Sequence, residues 1–115
     1  MAHLPSLDQA FLSRVQEAVE RNLDSGEFNV EMLSEEVGLS RTQIHRKLKA
    51  LTGQSATEFV RSTRLHRAHA LLLAQVATVS EVAYQVGFNS PAHFSTSFSK
   101  QFGYAHSEVA RQRVD

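Results

Sequence analysis

One pattern occurs twice along this chain of 115 residues, and it restricts the folds that the chain can adopt. Residues 30–38, VEMLSEEVG, match residues 79–87, VSEVAYQVG, in their apolar positions and in the final glycine. After that glycine the offset increases by one residue, so that Ser40 matches Ser90 and the later apolar positions remain in phase. Each copy therefore predicts a short helix, a turn at glycine and a longer helix.

Apolar residues recur at helical spacing along nearly the whole chain, and no segment alternates with the period of two that strands show. The sequence is therefore predicted to be all-α, with about seven helices: residues 7–24, a short helix after Asn29, residues 41–51, 56–73, 79–86 and 91–102, and a weak helix around Val109. Capping boxes, in which Ser or Thr precedes Glu or Gln by three residues, mark four of the starts: Ser6 to Gln9, Ser40 to Gln43, Ser55 to Glu58 and Thr78 to Glu81. Left-handed glycine caps are expected at helix ends: Gly26, Gly38, Gly53, Gly87 and Gly103.

The chain has no net charge, but its charged residues are distributed unevenly. Residues 1–36 hold eight acids and two bases, whereas residues 37–75 hold seven bases and a single acid, Glu58. A concentration of positive charge points to nucleic acid or another acidic partner, although such a stretch is more often a solvated helix face. The seven bases are Arg41, Arg46, Lys47, Lys49, Arg61, Arg64 and Arg67.

The composition argues against several other classes of protein. No cysteine is present, so the chain has no disulfide, no thiolate nucleophile and no cysteine-based zinc site. No apolar run reaches the ~18 residues of a membrane span and the start lacks a signal-peptide pattern, so a cytoplasmic protein without membrane contact is expected. His66 and His69 have helical i, i+3 spacing, but no third ligand lies near them on that helix. We therefore expect no metal, no cofactor and no enzymatic activity.

The first copy of the repeat has the pattern of a helix-turn-helix, in which a short apolar helix and a glycine turn hold a second, polar helix at the surface. That second helix can enter the major groove of duplex DNA. Ile44, Leu48 and Leu51 are predicted to face the core, which leaves the opposite face for DNA. Arg46 is the strongest candidate for reading a base, because its guanidinium can bond guanine O6 and N7 together. The residues predicted to point outward are Arg41, Thr42, His45, Arg46 and Lys49.

The two copies differ in charge. In the first, the cations could merely solubilise a surface helix, yet no acid occurs between Val37 and Ala56, whereas solvated helices usually mix both signs. In the second, Lys100 is the one cation of the longer helix beyond His93. Its hydroxyl and methyl groups can still contact bases, but few of its contacts would depend on salt. The second copy could instead be a stabilising unit whose surface rarely meets DNA.

Three segments resemble the DNA-binding domain of AraC/XylS-type transcription regulators: EEVGLSRTQIHRKLKALTGQS, RLHRAHALLL and VSEVAYQVGFNSPAHFSTSFSKQFG. The resemblance extends from about Phe11 to Val109, and RKLKALTG looks most like the output domains of hybrid sensor kinases or response regulators. It implies two helix-turn-helix units, 7–53 and 78–112, joined by a linker helix at 56–73 and entering successive major grooves on one face of double-stranded DNA. By this resemblance, base contacts would come from Thr42, His45, Arg46, Pro91, Ala92, His93 and Thr96. Contacts to the DNA backbone are assigned to Ser40, Arg41, Lys49, Ser90 and Lys100.

The resemblance also implies partners and further domains. Family members usually carry a sensing, receiver or dimerisation segment, so this chain is expected to be an excised or truncated output domain at 7–112, after a linker or cloning remnant at 1–6. RNA polymerase is a candidate partner besides DNA. The chain departs from many relatives at Thr96 and Ser99, where they are basic, and at 105–106, where a Ser-Pro pair is common. The alternative function is a helical protein-interaction module whose basic stretch binds an acidic partner.

Overall fold

Six α-helices and one 3₁₀-helix make up the part of the protein that the structure describes, which is the backbone of residues 6–112 and the side chains of residues 6–109. The all-α prediction is confirmed, and no strand occurs within this range. The weak helix predicted around Val109 has 3₁₀ rather than α geometry, and residues 1–5 of the predicted linker lie outside the described part. In this computed structural model the helices are α1 Leu7–Arg21, α2 Val30–Val37, α3 Arg41–Thr52, α4 Ala56–Ala74, α5 Val79–Gln85, α6 Pro91–Phe102 and the 3₁₀-helix His106–Gln112.

Capping side chains define the starts of the helices. All four predicted capping boxes are present. At α3, for example, Ser40 Oγ accepts from the Gln43 amide at 3.1 Å and Gln43 Oε1 accepts from the Ser40 amide at 2.9 Å. Asn29 and Ser90 cap α2 and α6 through one side-chain oxygen each. These starts depend on residues three positions apart, so local sequence is sufficient to determine them.

Four of the five predicted glycine caps have the left-handed conformation, with φ between 77° and 90°. They include the glycines of both helix-turn-helix turns, Gly38 and Gly87. The prediction was wrong at Gly26, which does not have a positive φ. The first helix ends earlier, at Arg21, where the Asn22 side-chain amide donates to the Ala18 carbonyl at 2.8 Å and satisfies the helix end without a glycine.

The described residues form two compact units, each containing one copy of the repeat. The first unit comprises α1, then Phe28–Arg61 with α2, α3 and the first turns of α4. The second comprises Leu23–Glu27 and the chain from Ser62 onward. Two helix-turn-helix units joined by a long helix are therefore confirmed, and the segment Leu23–Glu27 belongs with the second unit although it precedes α2.

The core of the first unit is mainly aliphatic, with two buried aromatic rings, Phe11 of α1 and Phe28, which precedes α2. In α3, Ile44 and Leu48 are completely buried, but Leu51 is 38% exposed, so its predicted place in the core was wrong. Two positions of α3 are enough to anchor it, because its capped ends are already fixed. The buried apolar residues of this unit are Phe11, Val15, Ala18, Val19, Phe28, Leu33, Val37, Ile44, Leu48, Ala56 and Val60.

The core of the second unit is built on phenylalanines. Phe94 and Phe98 of α6 are completely buried, and the ring of Phe88, directly after the turn glycine, meets Phe94 edge-on at a centroid distance of 5.3 Å. The 3₁₀-helix closes this core with the buried Val109 and with His106, whose Nε2 lies 2.9 Å from Ser95 Oγ. The His106 ring thus contributes a side-chain hydrogen bond and also stacks on Phe94, with a centroid distance of 6.0 Å.

A buried arginine connects three parts of the second unit. Arg64 of α4 is 7% exposed, so one of the seven bases of residues 37–75 does not contribute to a basic surface. Its guanidinium donates to the backbone carbonyls of Leu23 at 2.6 Å, Ser25 at 2.9 Å and Val86 at 2.7 Å. Burial lowers the pKa of Arg64, and the nearby Asp24 carboxylate partly offsets that effect. The three carbonyls satisfy a cation that would otherwise be costly to bury.

The turn of the second unit leaves room for this guanidinium only because Gly87 has no side chain. A Cβ built at Gly87 would overlap Arg64 Nη1 and approach the Leu23 carbonyl oxygen. A glycine is thus required at this position for two reasons: its φ is 90°, and the Arg64 guanidinium occupies the space of a side chain.

We predict that Gly87→Ala destabilises the second unit far more than Gly103→Ala. Both glycines have positive φ, which costs an alanine about 1–2 kcal/mol, but a Cβ at Gly103 meets nothing within 4 Å. Urea unfolding followed by circular dichroism should show a loss of about 1–2 kcal/mol for Gly103→Ala. For Gly87→Ala, disruption of the buried cation should raise the loss to about 3 kcal/mol or more. Equal losses would show that the guanidinium moves aside at no cost.

The capping box of α4 also predicts a titration result. The pKa of Glu58 is lowered by hydrogen bonds from the Ser55 side chain and amide, and to a smaller extent by Lys49 and Arg61. Its contribution to stability is therefore present at neutral pH and is lost as the pH falls through the lowered pKa. Ser55→Ala should raise the Glu58 pKa toward that of an unperturbed glutamate in a ¹³C-carboxyl NMR titration. Ser40→Ala, at a different helix, is the control and should leave the Glu58 pKa unchanged.

Candidate nucleic-acid interface

Helix α3 presents a continuous polar face at the surface of the first unit. Because Ile44 and Leu48 are its buried positions, the side chains on the other side of the helix project outward. All five residues predicted to point away from the core are exposed, and together with Ala50 they line a shallow depression of about 620 Å³. These lining residues are Arg41, Thr42, His45, Arg46, Lys49 and Ala50.

The cations of α3 have different local partners. Lys47 lies outside the depression, with its ammonium 5.2 Å from the centroid of the Phe11 ring, in a cation–π contact with α1. Lys49 Nζ donates to the Gly53 carbonyl at the end of the helix at 3.0 Å, which leaves two of its three N–H groups for other acceptors. Arg41 and Arg46 are exposed in the depression, and no acid occurs on α3. The face is therefore electropositive, because no acidic side chain of α3 neutralises its cations.

His45 has a contact that spacing along the sequence did not suggest. Its Nδ1 accepts a hydrogen bond from the backbone amide of Ala56, the first residue of α4, at 3.4 Å. The remainder of the ring is exposed beside Thr42 and Arg46 in the depression. One edge of this imidazole is thus engaged within the unit, while its other edge borders the polar face.

Helix α6 presents a face of different chemistry in the second unit. Four of its residues assigned to DNA contacts are exposed, and Pro91, at the first helical position, is partly buried. The Thr96 hydroxyl donates to the Ala92 carbonyl at 3.2 Å, so that its lone pairs rather than its proton face outward. The His93 ring packs against Phe88 at 5.5 Å. The four exposed residues are Ala92, His93, Thr96 and Lys100.

The serines assigned to DNA backbone contacts act as helix caps. Ser40 Oγ and Ser90 Oγ each accept from the amide three residues later, at 3.1 and 3.0 Å. A capping hydroxyl uses a lone pair in this role and retains its proton, which can be donated to a phosphate oxygen. The structure therefore places a hydroxyl donor at the start of both α3 and α6.

The two histidines considered as metal ligands pack against aromatic rings. His66 meets the Phe102 ring edge-on at 5.3 Å, and His69 Nε2 lies 2.7 Å from the Tyr104 hydroxyl. Within the described residues, no three His, Asp or Glu side chains are arranged to hold a metal ion. In the same part of the chain, no helix combines the length and the apolar character needed to cross a membrane.

Sequence patterns located the outward face of α3 but not the contacts that fix it. The role of Arg64 was missed because a basic residue among other basic residues gives no sign of burial, and its partners are 22 to 41 positions away. Arg61 and Arg67 on α4 are exposed cations, in contrast to Arg64. Which of the exposed side chains contact bases or phosphates stays a prediction.

Comparison with known proteins identifies the family. A helix-turn-helix domain family matches residues 33–112. The chain is 38% identical over 105 residues to histidine kinase P4 of Formosa agariphila, a match that covers 91% of this chain and 8% of the kinase. In its matches to other curated relatives, this chain spans 31% of their length.

Solved structures agree with this match. A transcriptional regulator of Chromobacterium violaceum, described as having an AraC-type DNA-binding domain, has a TM-score of 0.83 at 26% identity, covering 93% of this chain and 95% of that one. The DNA-binding domain of AdpA, a global transcriptional factor solved in complex with a target DNA, has a TM-score of 0.76 at 28% identity, covering 89% and 90%.

The fold, with α3 and α6 exposed as the second helix of each helix-turn-helix, is that of a double helix-turn-helix domain. The chain belongs to the AraC-type helix-turn-helix family, whose members are DNA-binding domains of transcription regulators. The resemblance inferred from the sequence is thereby confirmed.

Proposed function

We propose that this chain binds double-stranded DNA in a sequence-specific manner through α3 and α6, as the output domain of a longer transcription regulator. The observation that carries the proposal is the exposed, acid-free face of α3, anchored by only two buried side chains. An α-helix fits the major groove, where a basic face neutralises phosphates and its polar side chains reach base edges.

Within α3 the proposed contacts divide by chemistry. Arg46 reads a guanine through its two-pronged guanidinium, and Thr42 and His45 contact neighbouring bases from the same depression. Ser40, at the capped start of the helix, Arg41 in its first turn and Lys49 near its end are assigned to phosphates. Lys49 is suited to a phosphate rather than a base because one of its donors already holds the Gly53 carbonyl.

Helix α6 is proposed to enter the next major groove with fewer ionic contacts. Ala92 offers a methyl group to thymine, while Pro91, His93 and Thr96 contact neighbouring base edges. Ser90 and Lys100 are assigned to phosphates. Since Lys100 is the one Lys or Arg of α6, this helix should contribute less to the salt dependence of binding than α3.

The longer regulator is inferred from the share of its relatives that this chain matches. The chain aligns to 8% of a histidine kinase and to 31% of other curated relatives, so the sensing, receiver or dimerisation function would lie in other segments of such a protein. The kinase match supports a place in two-component signalling but transfers no kinase activity to this chain, for which we propose a binding role without catalysis. RNA polymerase is a further partner proposed for the complete regulator.

The test is selection of bound sequences from a random duplex pool. Use of both units should yield two short motifs about 10–10.5 base pairs apart, centre to centre. A single motif would restrict sequence recognition to one unit. Binding that is independent of sequence, or stronger to an acidic polypeptide than to any duplex, would favour the protein-interaction alternative.

On the selected duplex, Arg46→Ala should reduce affinity by about 1–3 kcal/mol and relax base preference at one position. Arg21→Ala is the matched control, because it removes the same charge from α1, where the arginine is 61% exposed and pairs with Glu36. It should leave base preference unchanged in the same fluorescence-anisotropy titration. An unaltered isotherm for Arg46→Ala would contradict the role assigned to Arg46.

The charge contrast between the two helices predicts an order of effects. Thr96→Ala should weaken binding less than Arg46→Ala, and it should leave the slope of log K against log salt unchanged because it removes no cation. Lys49→Ala should instead reduce that slope by about one and weaken binding to all sequences alike. Equal losses for Thr96→Ala and Arg46→Ala would mean that the second unit contributes as much as the first.

A further inference from the structure

His45 connects the polar face of α3 to the start of the next helix. Its Nδ1 accepts from the Ala56 amide, one of the N–H groups of the first turn of α4 that have no partner inside the helix. The neighbouring capping box serves the amides of Ser55 and Glu58, so His45 supplies a partner to an amide that the box does not reach. The Ala56 residue is itself completely buried, so its amide would destabilise the fold if it had no hydrogen-bond partner.

This hydrogen bond determines which ring nitrogen carries the proton. A backbone amide can only donate, so Nδ1 must keep its lone pair, and in a neutral imidazole the proton then lies on Nε2. A proton on Nδ1 would place two donors against each other. The cations Arg41, Arg46 and Lys49 line the same depression, and no acid is among its lining residues, so no carboxylate there competes for the Nε2 proton.

The equivalent position of the second unit shows the same link made with other groups. The repeat matches His45 with Ser95 and Ala56 with His106, and Ser95 Oγ lies 2.9 Å from His106 Nε2. In both units, therefore, this position of the longer helix bonds to the start of the helix that follows. Ser95 is partly buried whereas His45 is exposed, so only in the first unit does the linking side chain also border the polar face.

We propose that the amide of Ala56 fixes His45 as the Nε2–H tautomer, so that its outward edge acts only as a hydrogen-bond donor and selects a base with an acceptor in the major groove. This inference rests on the proposed function of α3. Guanine O6 and N7, adenine N7 and thymine O4 fit this donor, whereas the amino group of cytosine does not. His45 would thus exclude cytosine at one position next to the base read by Arg46.

The tautomer is tested on the free protein by long-range ¹H–¹⁵N correlation spectroscopy at pH 8. The expected result for His45 is a protonated Nε2 and an unprotonated Nδ1. His93 is the internal reference, because its ring packs against Phe88 and accepts from no backbone amide of the described residues. A mixture of tautomers, or a proton on Nδ1, would overturn the proposal. Because no DNA is present, this result does not depend on the proposed function.

Two substitutions test the roles of Nδ1 and Nε2 of His45 separately. In His45→Asn the side-chain oxygen stands near the place of Nδ1 and can accept from Ala56, but no donor remains at the place of Nε2. In His45→Gln the amide nitrogen stands near the place of Nε2, and an acceptor is added beside it. In the random-pool selection, His45→Asn should lose the discrimination against cytosine and about tenfold in affinity. His45→Gln should shift the preference toward adenine.

The base selected by Arg46 should stay the same in both variants, which provides the internal control. Selection of cytosine by the wild-type protein at the position adjacent to that base, or identical patterns for all three proteins, would refute the donor-only role of His45. If none of the three proteins selects a sequence, the proposed function fails, and the NMR result alone decides the tautomer. Circular dichroism of each variant shows whether a loss of binding reflects unfolding.

Discussion

The guanidinium of Arg64 lies inside the second unit and donates to three backbone carbonyls, at Leu23, Ser25 and Val86. A desolvated cation must keep such partners, because each unsatisfied donor in a buried site destabilises the fold. The Val86 carbonyl directly precedes the turn glycine, so the arginine holds the turn that sets the direction of α6. The orientation of α6 thus depends on a residue that is itself buried, with only 7% of its surface exposed.

In the first unit, α3 is held at the surface without a buried cation. Two completely buried side chains, Ile44 and Leu48, and a capped start hold α3, so the rest of the helix is free to be polar. Lys47 and Lys49 are held by an aromatic ring and a carbonyl, respectively, which restrains the long side chains at the border of the face. Restrained groups lose less conformational entropy when they bind a partner, and this favours recognition by α3.

The two units share a backbone plan but differ in chemistry at equivalent positions. Where the first unit has a cationic face, the second has hydroxyl and methyl groups with a single lysine. Their cores also differ, since the aliphatic Ile44 and Leu48 of the first unit correspond to the aromatic Phe94 and Phe98 of the second. A duplicated unit can therefore keep its turn and its packing while its exposed face changes, because the buried and exposed positions lie on opposite sides of the same helix.

By itself the sequence determined the all-helical class, the four boxed helix starts, the glycine turns and the outward face of α3, since these features depend on residues within one or two helical turns of each other. Only the tertiary structure decided the burial of Arg64, the exposure of Leu51, the ordinary φ of Gly26 and the hydrogen bond from Ala56 to His45. Each of these depends on groups that sequence spacing does not bring together, such as carbonyls 22 to 41 positions from Arg64. Periodicity reports which side of a helix is apolar, whereas the partners of a polar group are fixed when separate segments pack.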